Sequence, residues 1–324
     1  MKIKAFQEPI LDDLDRFRNS YRDILKSGVP IIDHIVDYLA RTQGKALRPT
    51  MTLLCARIGG ETCPENAIKA AVIVELLHEA TLVHDDVVDE SPVRRGFPSL
   101  SSRFKNKVAV LFGDYMLANV LTQTLESRDM RWLDILADTS RRLAKGELVQ
   151  AARAKRVNMT EADYLEMIKD KTAALFSACC KLGGISGGLA DEHIETLGKF
   201  GDCFGIIFQI RDDLLDMFGE RSIIGKPIGG DLREKKLTLP VLGALSQVDI
   251  KTSRRIRARI RRGIKNKEIK DIISFVKEHG GDVYAEKTLA EKTQKAYDLL
   301  DTLPEAQVIE NLKQLVNFAA TRKR

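Results

Sequence analysis

The chain has 324 residues, 52 Lys and Arg against 46 Asp and Glu, a net charge of +6 and a pI near 9.0. That length allows about two domains as a soft prior, and the dominance of Leu, Ala, Ile, Lys, Arg and Glu with few aromatics is a helical composition. No uninterrupted apolar run reaches the ~20 residues of a membrane span, residues 1–13 lack a signal peptide's apolar core, and the five cysteines have no C-x-x-C spacing, so the expectation is a cytoplasmic protein with reduced, buried thiols.

Residues 8–27 predict a first amphipathic helix on Ile10, Leu11, Leu14, Phe17 and Tyr21, and Pro30 opens a second that runs to about Arg41. Gly44-Lys45-Ala46-Leu47-Arg48-Pro49 is a Gly/Pro-punctuated loop carrying two cations. Thr62-Cys63-Pro64-Glu65 reads as a capping box that starts a long apolar helix near Cys63 and carries it to Asp89. His78 and His84 do not have the spacing of a zinc-binding H-E-x-x-H pair. His84 reads as a packing residue or one that supports a ligand from behind, whereas His78 shares nearly one face with Asp85 and could donate to an anion. Arg94 and Arg95 follow in a Pro/Gly turn.

Two more helices are expected over 107–126 and 130–151. Thr160-x-x-Asp163 caps the next, which carries Lys171 and Thr172 into an apolar stretch. GGISGG at 183–188 lacks the spacing of a nucleotide loop and reads as a helix–helix connection. Helix 196–218 precedes a polar loop, 219–240, with Lys226, Asp231, Lys235 and Lys236, long enough to suggest a lid. The remainder, 241–318, is again helical, the basic run 254–267 suits a solvated face or anionic-lipid contact, and the final TRKR is expected to fray. The basic residues near the Asp-bearing motifs are single and well spaced, without interleaved aromatics, which argues against nucleic acid. No linker divides the chain, so 1–324 reads as a single domain.

The chemistry sits in two places. Asp85, Asp86 and Asp89 end the first long apolar helix, and Asp212, Asp213 and Asp216 repeat that spacing near the end of another. Carboxylates four apart on a helix lie roughly 5–6 Å from each other, and at an effective dielectric near 20 they repel by about 3 kcal/mol. In an apolar helix such a cluster needs a counter-ion, and oxygen-only ligands favour Mg²⁺. Solvated acid faces are common singly, but two on apolar helices point to a metal. With Lys45, Arg48, Arg94, Arg95, Lys171, Lys226 and Lys236 around them, the ligand expected is a diphosphate. Thr81, His78, Leu77 and Val74 lie below Asp85 on the helix, so an apolar tail could follow, which makes the expected ligand a prenyl diphosphate.

Seven segments carry a resemblance: GKALRP at 44–49, HDDVVDESPVRRG at 84–96, GDY at 113–115, GELVQ at 146–150, KTA at 171–173, FQIRDDLLD at 208–216 and GKPIGGDLREKKLTLP at 225–240. Over nearly its whole length the chain resembles the isoprenyl diphosphate synthase family, and within it the all-trans, long-chain polyprenyl type. The resemblance implies an all-α isoprenoid synthase fold, a helical bundle around a central cavity, in a homodimer that elongates an allylic diphosphate with isopentenyl diphosphate.

It further implies magnesium as cofactor, on the order of three ions per site with the allylic diphosphate bound. Asp85, Asp89 and Asp212 would be the ligands, with Asp86, Asp213 and Asp216 supporting. Arg94, Lys171, Thr172, Gln209, Lys226 and Lys236 would hold the allylic diphosphate, and Lys45, Arg48, His78 and Arg95 isopentenyl diphosphate. GGDLREKK departs from the family's commoner loop, as does SLSSRFKNK at 99–107, without loss of an acid or cation. Ala80 and Thr81, small where short-chain relatives carry aromatics, imply a long product such as a quinone side chain. The alternatives are a short-chain synthase, a terpene cyclase, which usually lacks the isopentenyl-binding cations, and a non-catalytic partner subunit, which typically loses one acid cluster.

Overall fold

The computed structural model describes residues 4–42, 44–219 and 228–323. They are almost entirely helical, as the composition predicts. Contacts divide the chain into two compact units. One comprises residues 1–137, 178–198 and 303–312, the other 138–177, 199–302 and 313–324. The first acid cluster belongs to the former and the second to the latter.

In the first unit, helix Leu11–Leu25 buries Leu14, Phe17, Tyr21 and Leu25, the stripe expected of one helical face. Pro30 occupies the first turn of Pro30–Arg41, where its missing N–H costs nothing. At the centre lies helix Glu65–Val88, buried from Ala67 to Leu77 with only Lys69 partly exposed, so it has no polar face over that stretch. Helix Asn106–Glu126 packs along it. The expected capping box at Thr62 does not form. Pro64 is the N-cap, and Arg16 draws the Glu65 carboxylate to 2.8 Å and also reaches the Cys63 carbonyl at 3.1 Å.

GGISGG meets its expectation in its second half, where Gly187 and Gly188 open the connection to helix Asp191–Phe218, but not in its first. Helix Ala174–Ser186 runs through Gly183 and Gly184 and breaks only beyond Ser186. A methyl at Gly183 would fall 2.4 Å from the Thr52 carbonyl, so the small residues allow close approach of the neighbouring helix Leu47–Ala56. Strands were not expected. Among the described residues one pair occurs, Val93–Arg94 antiparallel to Phe97–Pro98. Arg95 (φ 52°) and Gly96 (φ 83°) make its two-residue turn, the positive-φ geometry that matches strand twist. Tyr38 donates to the Pro98 carbonyl at 2.6 Å and ties the hairpin down.

In the second unit, the Thr160–Asp163 capping box forms as expected and starts helix Glu161–Ile168. A single π turn, Lys169–Ala173, follows it. The longest helix, Asp191–Phe218, carries the second acid cluster at its end. Phe176 packs on Phe204 and Phe208 with ring centroids 4.9 and 5.5 Å apart, and burying each such side chain contributes about 1.5–3 kcal/mol. Of the expected lid, residues 220–227 lie outside the described residues, and Gly230–Arg233 forms a short helical turn. Helices Leu239–Ser246, Ile250–Arg262, Asn266–Glu278, Gly281–Asp301 and Val308–Thr321 complete the chain. All five cysteines are buried and free.

Candidate active site

In the first unit the helix period puts Asp85, half-buried, and Asp89, exposed, near the helix end, while Asp86 turns inward and is 3% exposed. Arg94 grips Asp86 with a planar fork. Its Nε lies 2.8 and 2.9 Å from the two carboxylate oxygens, and an Nη lies 2.7 Å from one of them. Burial opposes the guanidinium's charge, yet the Asp86 hydrogen bonds carry its pKa above the ordinary value. Asp86 is thus saturated by protein donors.

Deeper along the helix lie two carboxylates that the sequence reading did not single out, Glu75 and Glu79, each 8% exposed. Glu79 pairs with Arg95 at 3.1 Å, and Arg95 also reaches the Thr42 carbonyl at 3.3 Å. Gly44 lies against that guanidinium, where a methyl would come within 2.8 Å. Arg48 donates to His78 Nε2 at 2.9 Å, so His78 accepts there and keeps its proton on Nδ1. Burial, then the cations Arg48, Arg95 and Arg94, hold His78 well below its usual pKa, so it is neutral. Burial and Glu79 push Glu75 up to about 7. Lys45 is exposed at the edge of this group. His84, as expected, packs: its ring lies over Gly113 and its Nε2 is 3.4 Å from Asp114, which accounts for two residues of GDY.

In the second unit Asp213 is the inward acid. Tyr164 donates to one oxygen at 2.6 Å and Gln209 to the other at 2.9 Å, while Thr172 donates to Gln209 at 2.9 Å. Burial, then Asp231, pushes the Asp213 carboxyl well above the carboxylate range. Asp216 accepts from the backbone N–H groups of Gly230 and Asp231, both at 3.1 Å, and so shapes the described part of the loop. Asp212 pairs with Arg322 at 2.6 Å. Burial and Asp216 push Asp231 up to about 7.

Lys171 sits in the π turn with its ammonium 2.6 Å from Glu147. Gly146 lets the π turn come close, since a methyl there would lie 2.6 Å from the Lys171 backbone nitrogen. Lys236 pairs with Glu234 at 2.5 Å. Tyr164, Lys171, Gln209, Asp213, Asp231 and Lys236 line a cavity of about 110 Å³. Lys226 lies outside the described residues.

The profile of the polyprenyl synthetase family matches residues 29–276. The chain belongs to the polyprenyl synthetase family. It is therefore an enzyme, a transferase of prenyl groups. It is 33% identical to the octaprenyl diphosphate synthase of Haemophilus influenzae, over 99% of this chain and 98% of that one. A decaprenyl diphosphate synthase from Rhodobacter capsulatus superposes with a TM-score of 0.93 at 35% identity, covering all of both chains. A polyprenyl synthase from Caulobacter crescentus, complexed with calcium and isoprenyl diphosphate, gives 0.92 at 33% identity, over 100% of this chain and 98% of that one. The all-α isoprenoid synthase fold expected from the sequence is the fold of this chain.

Among the described residues of this polyprenyl synthetase, no three His, Cys, Asp or Glu side chains converge as a ready-made metal cage. Mg²⁺, the ion expected from the sequence, takes one or two carboxylates together with waters and substrate phosphates. The all-oxygen donor set fits the same ion. The residues missed from sequence were Glu75, Glu79, Glu147, Tyr164, Asp231 and Arg322. An acid inside an apolar run was the available signal for the first two, and pattern membership for Glu147 and Asp231. Tyr164 and Arg322 carried none.

Proposed function

We propose that this chain is a long-chain, all-trans polyprenyl diphosphate synthase that condenses isopentenyl diphosphate with an allylic diphosphate such as farnesyl diphosphate. The observation that carries the reading is the paired acid clusters, in each of which protein donors lock the middle carboxylate. Asp85, Asp89 and Asp212 are the proposed magnesium ligands. Lys45, Arg48, Arg95 and the neutral His78 would hold isopentenyl diphosphate, with His78 offering its Nδ1–H. Lys171, Thr172, Gln209 and Lys236 would hold the allylic diphosphate, and Arg94 and Lys226 are assigned to it from the sequence pattern.

Magnesium, when bound, would offset the negative charge growing on the departing diphosphate. The cations hold both diphosphates in place. The allylic carbon–oxygen bond then breaks, the isopentenyl double bond attacks that carbon, and the proton lost goes to the released diphosphate. Ala80 is fully buried and Thr81 half-buried, with its hydroxyl on the His78 carbonyl at 2.7 Å. Both are small, which supports a long tail and a product of the kind attached to respiratory quinones.

Buried thiols support a reducing, cytoplasmic setting. Helix Asn106–Glu126 is long and apolar enough to cross a membrane by length and composition, with about a third of its most apolar stretch buried. Its exposed Leu111, Leu121 and Leu125 suit a second copy of the chain, consistent with a homodimer. Helix Ile250–Arg262 buries Ile256 and Ile260 and exposes Lys251, Arg254, Arg255, Arg261 and Arg262, a face suited to anionic lipid. Incorporation of labelled isopentenyl diphosphate tests the reading. It should stop when EDTA removes magnesium, and Asp85→Asn or Asp212→Asn should lower it at least about 10²-fold. Full activity in EDTA would refute the metal assignment.

A further inference from the structure

Within the end expected to fray, Arg322 is instead packed. Helix Val308–Thr321 delivers Arg322 to the second acid cluster, where its side chain is only 9% exposed. One Nη donates to the Phe208 carbonyl at 2.9 Å and lies 2.6 Å from Asp212 Oδ1, and the guanidinium stacks 3.8 Å above the Phe208 ring. Phe208 and Asp212 are one helical turn apart, so a single cation is clamped to one face of that helix. Asp212 lies beside Asp213 and one turn before Asp216 on the same helix.

We propose that Arg322 is a built-in counter-cation for Asp212, a positioning residue that neutralises the second acid cluster and that a divalent cation must displace or bind against. The inference rests on Asp212 being a magnesium ligand. Its consequence has a sign: two cations at one carboxylate repel, so loss of Arg322 tightens metal binding. Loss of a merely structural anchor would loosen the cluster and weaken binding. In a synthase that repeats its reaction, such a competitor favours release of metal and diphosphate after each addition.

The test is Mn²⁺ titration of the full chain, with free ion followed by electron paramagnetic resonance, in wild type, Arg322→Gln, Arg322→Lys, Asp212→Asn and the Arg322→Gln/Asp212→Asn double variant. Circular dichroism checks each fold. Arg322→Gln should tighten Mn²⁺ binding about threefold or more, and Arg322→Lys, which keeps charge but loses the planar fork, should fall between. In the Asp212→Asn background the Arg322 substitution should change nothing. Unchanged or weaker binding by Arg322→Gln would overturn the inference, as would equal tightening in both backgrounds. Equal Mn²⁺ binding by wild type and Asp212→Asn would remove Asp212 from the metal site, overturning the inference together with the reading beneath it.

Discussion

Glu75 is a carboxyl in an apolar helix, and its chemistry follows from that placement. With its pKa raised to about 7, the native chain keeps a proton there that the unfolded chain gives up near the ordinary value of 4.5. Between those pH values the unfolded state binds fewer protons, so this residue's contribution to stability falls as pH rises. Glu75→Gln should therefore flatten the decline, gaining on the order of 1–3 kcal/mol over wild type at pH 8 and little at pH 4. Thermal unfolding at the two pH values checks this, and an unaltered pH slope would contradict it. Asp86 makes the opposite case. Asp86→Ala leaves the half-buried Arg94 without its partner and should cost about 3–5 kcal/mol in urea unfolding. Asp89, exposed at the helix end, should tolerate the same change within about 0.5 kcal/mol of stability. The helix period already sets Asp86 off the face shared by Asp85 and Asp89, and burial gives that difference its energetic weight.

At the scale of elements, the acid helices were legible because a helix period acts on neighbours in sequence: Asp85 and Asp89, and Asp212 and Asp216, fall on one face whatever the rest of the chain does. Glu147 and Lys171 meet across 24 positions, and no local period announces that. The π turn around Lys171 was equally silent, as was the Arg95–Gly96 hairpin, because two-residue strands leave no alternation to read. GGISGG was only half legible, since small residues that let helices approach, Gly183 and Gly184, look like the small residues that end them, Gly187 and Gly188. Gly146→Ala tests such an approach. Its methyl would press on the Lys171 backbone, so the variant should lose about 1–3 kcal/mol of stability. It should also raise KM for the allylic diphosphate, measured by steady-state incorporation. Unchanged KM would separate the π turn from substrate binding.

At the scale of the whole molecule, two compact units each carry one acid cluster, while the sequence, lacking any linker, reads as one domain. Composition alone announced helices, whereas the division into units depends on contacts between distant segments. The proposed homodimer makes an assembly prediction through the exposed leucines of helix Asn106–Glu126: the wild type should sediment as a dimer and Leu111→Glu with Leu121→Glu as a monomer, and an unchanged mass would contradict an interface there. The central claim is long-chain trans-prenyl transfer, and product size measures it most directly. Purified protein with Mg²⁺, farnesyl diphosphate and labelled isopentenyl diphosphate should yield a ladder ending at one length well beyond geranylgeranyl, and Thr81→Phe should shorten it. A product that stops at geranylgeranyl length, or no incorporation with any allylic primer, would contradict the account.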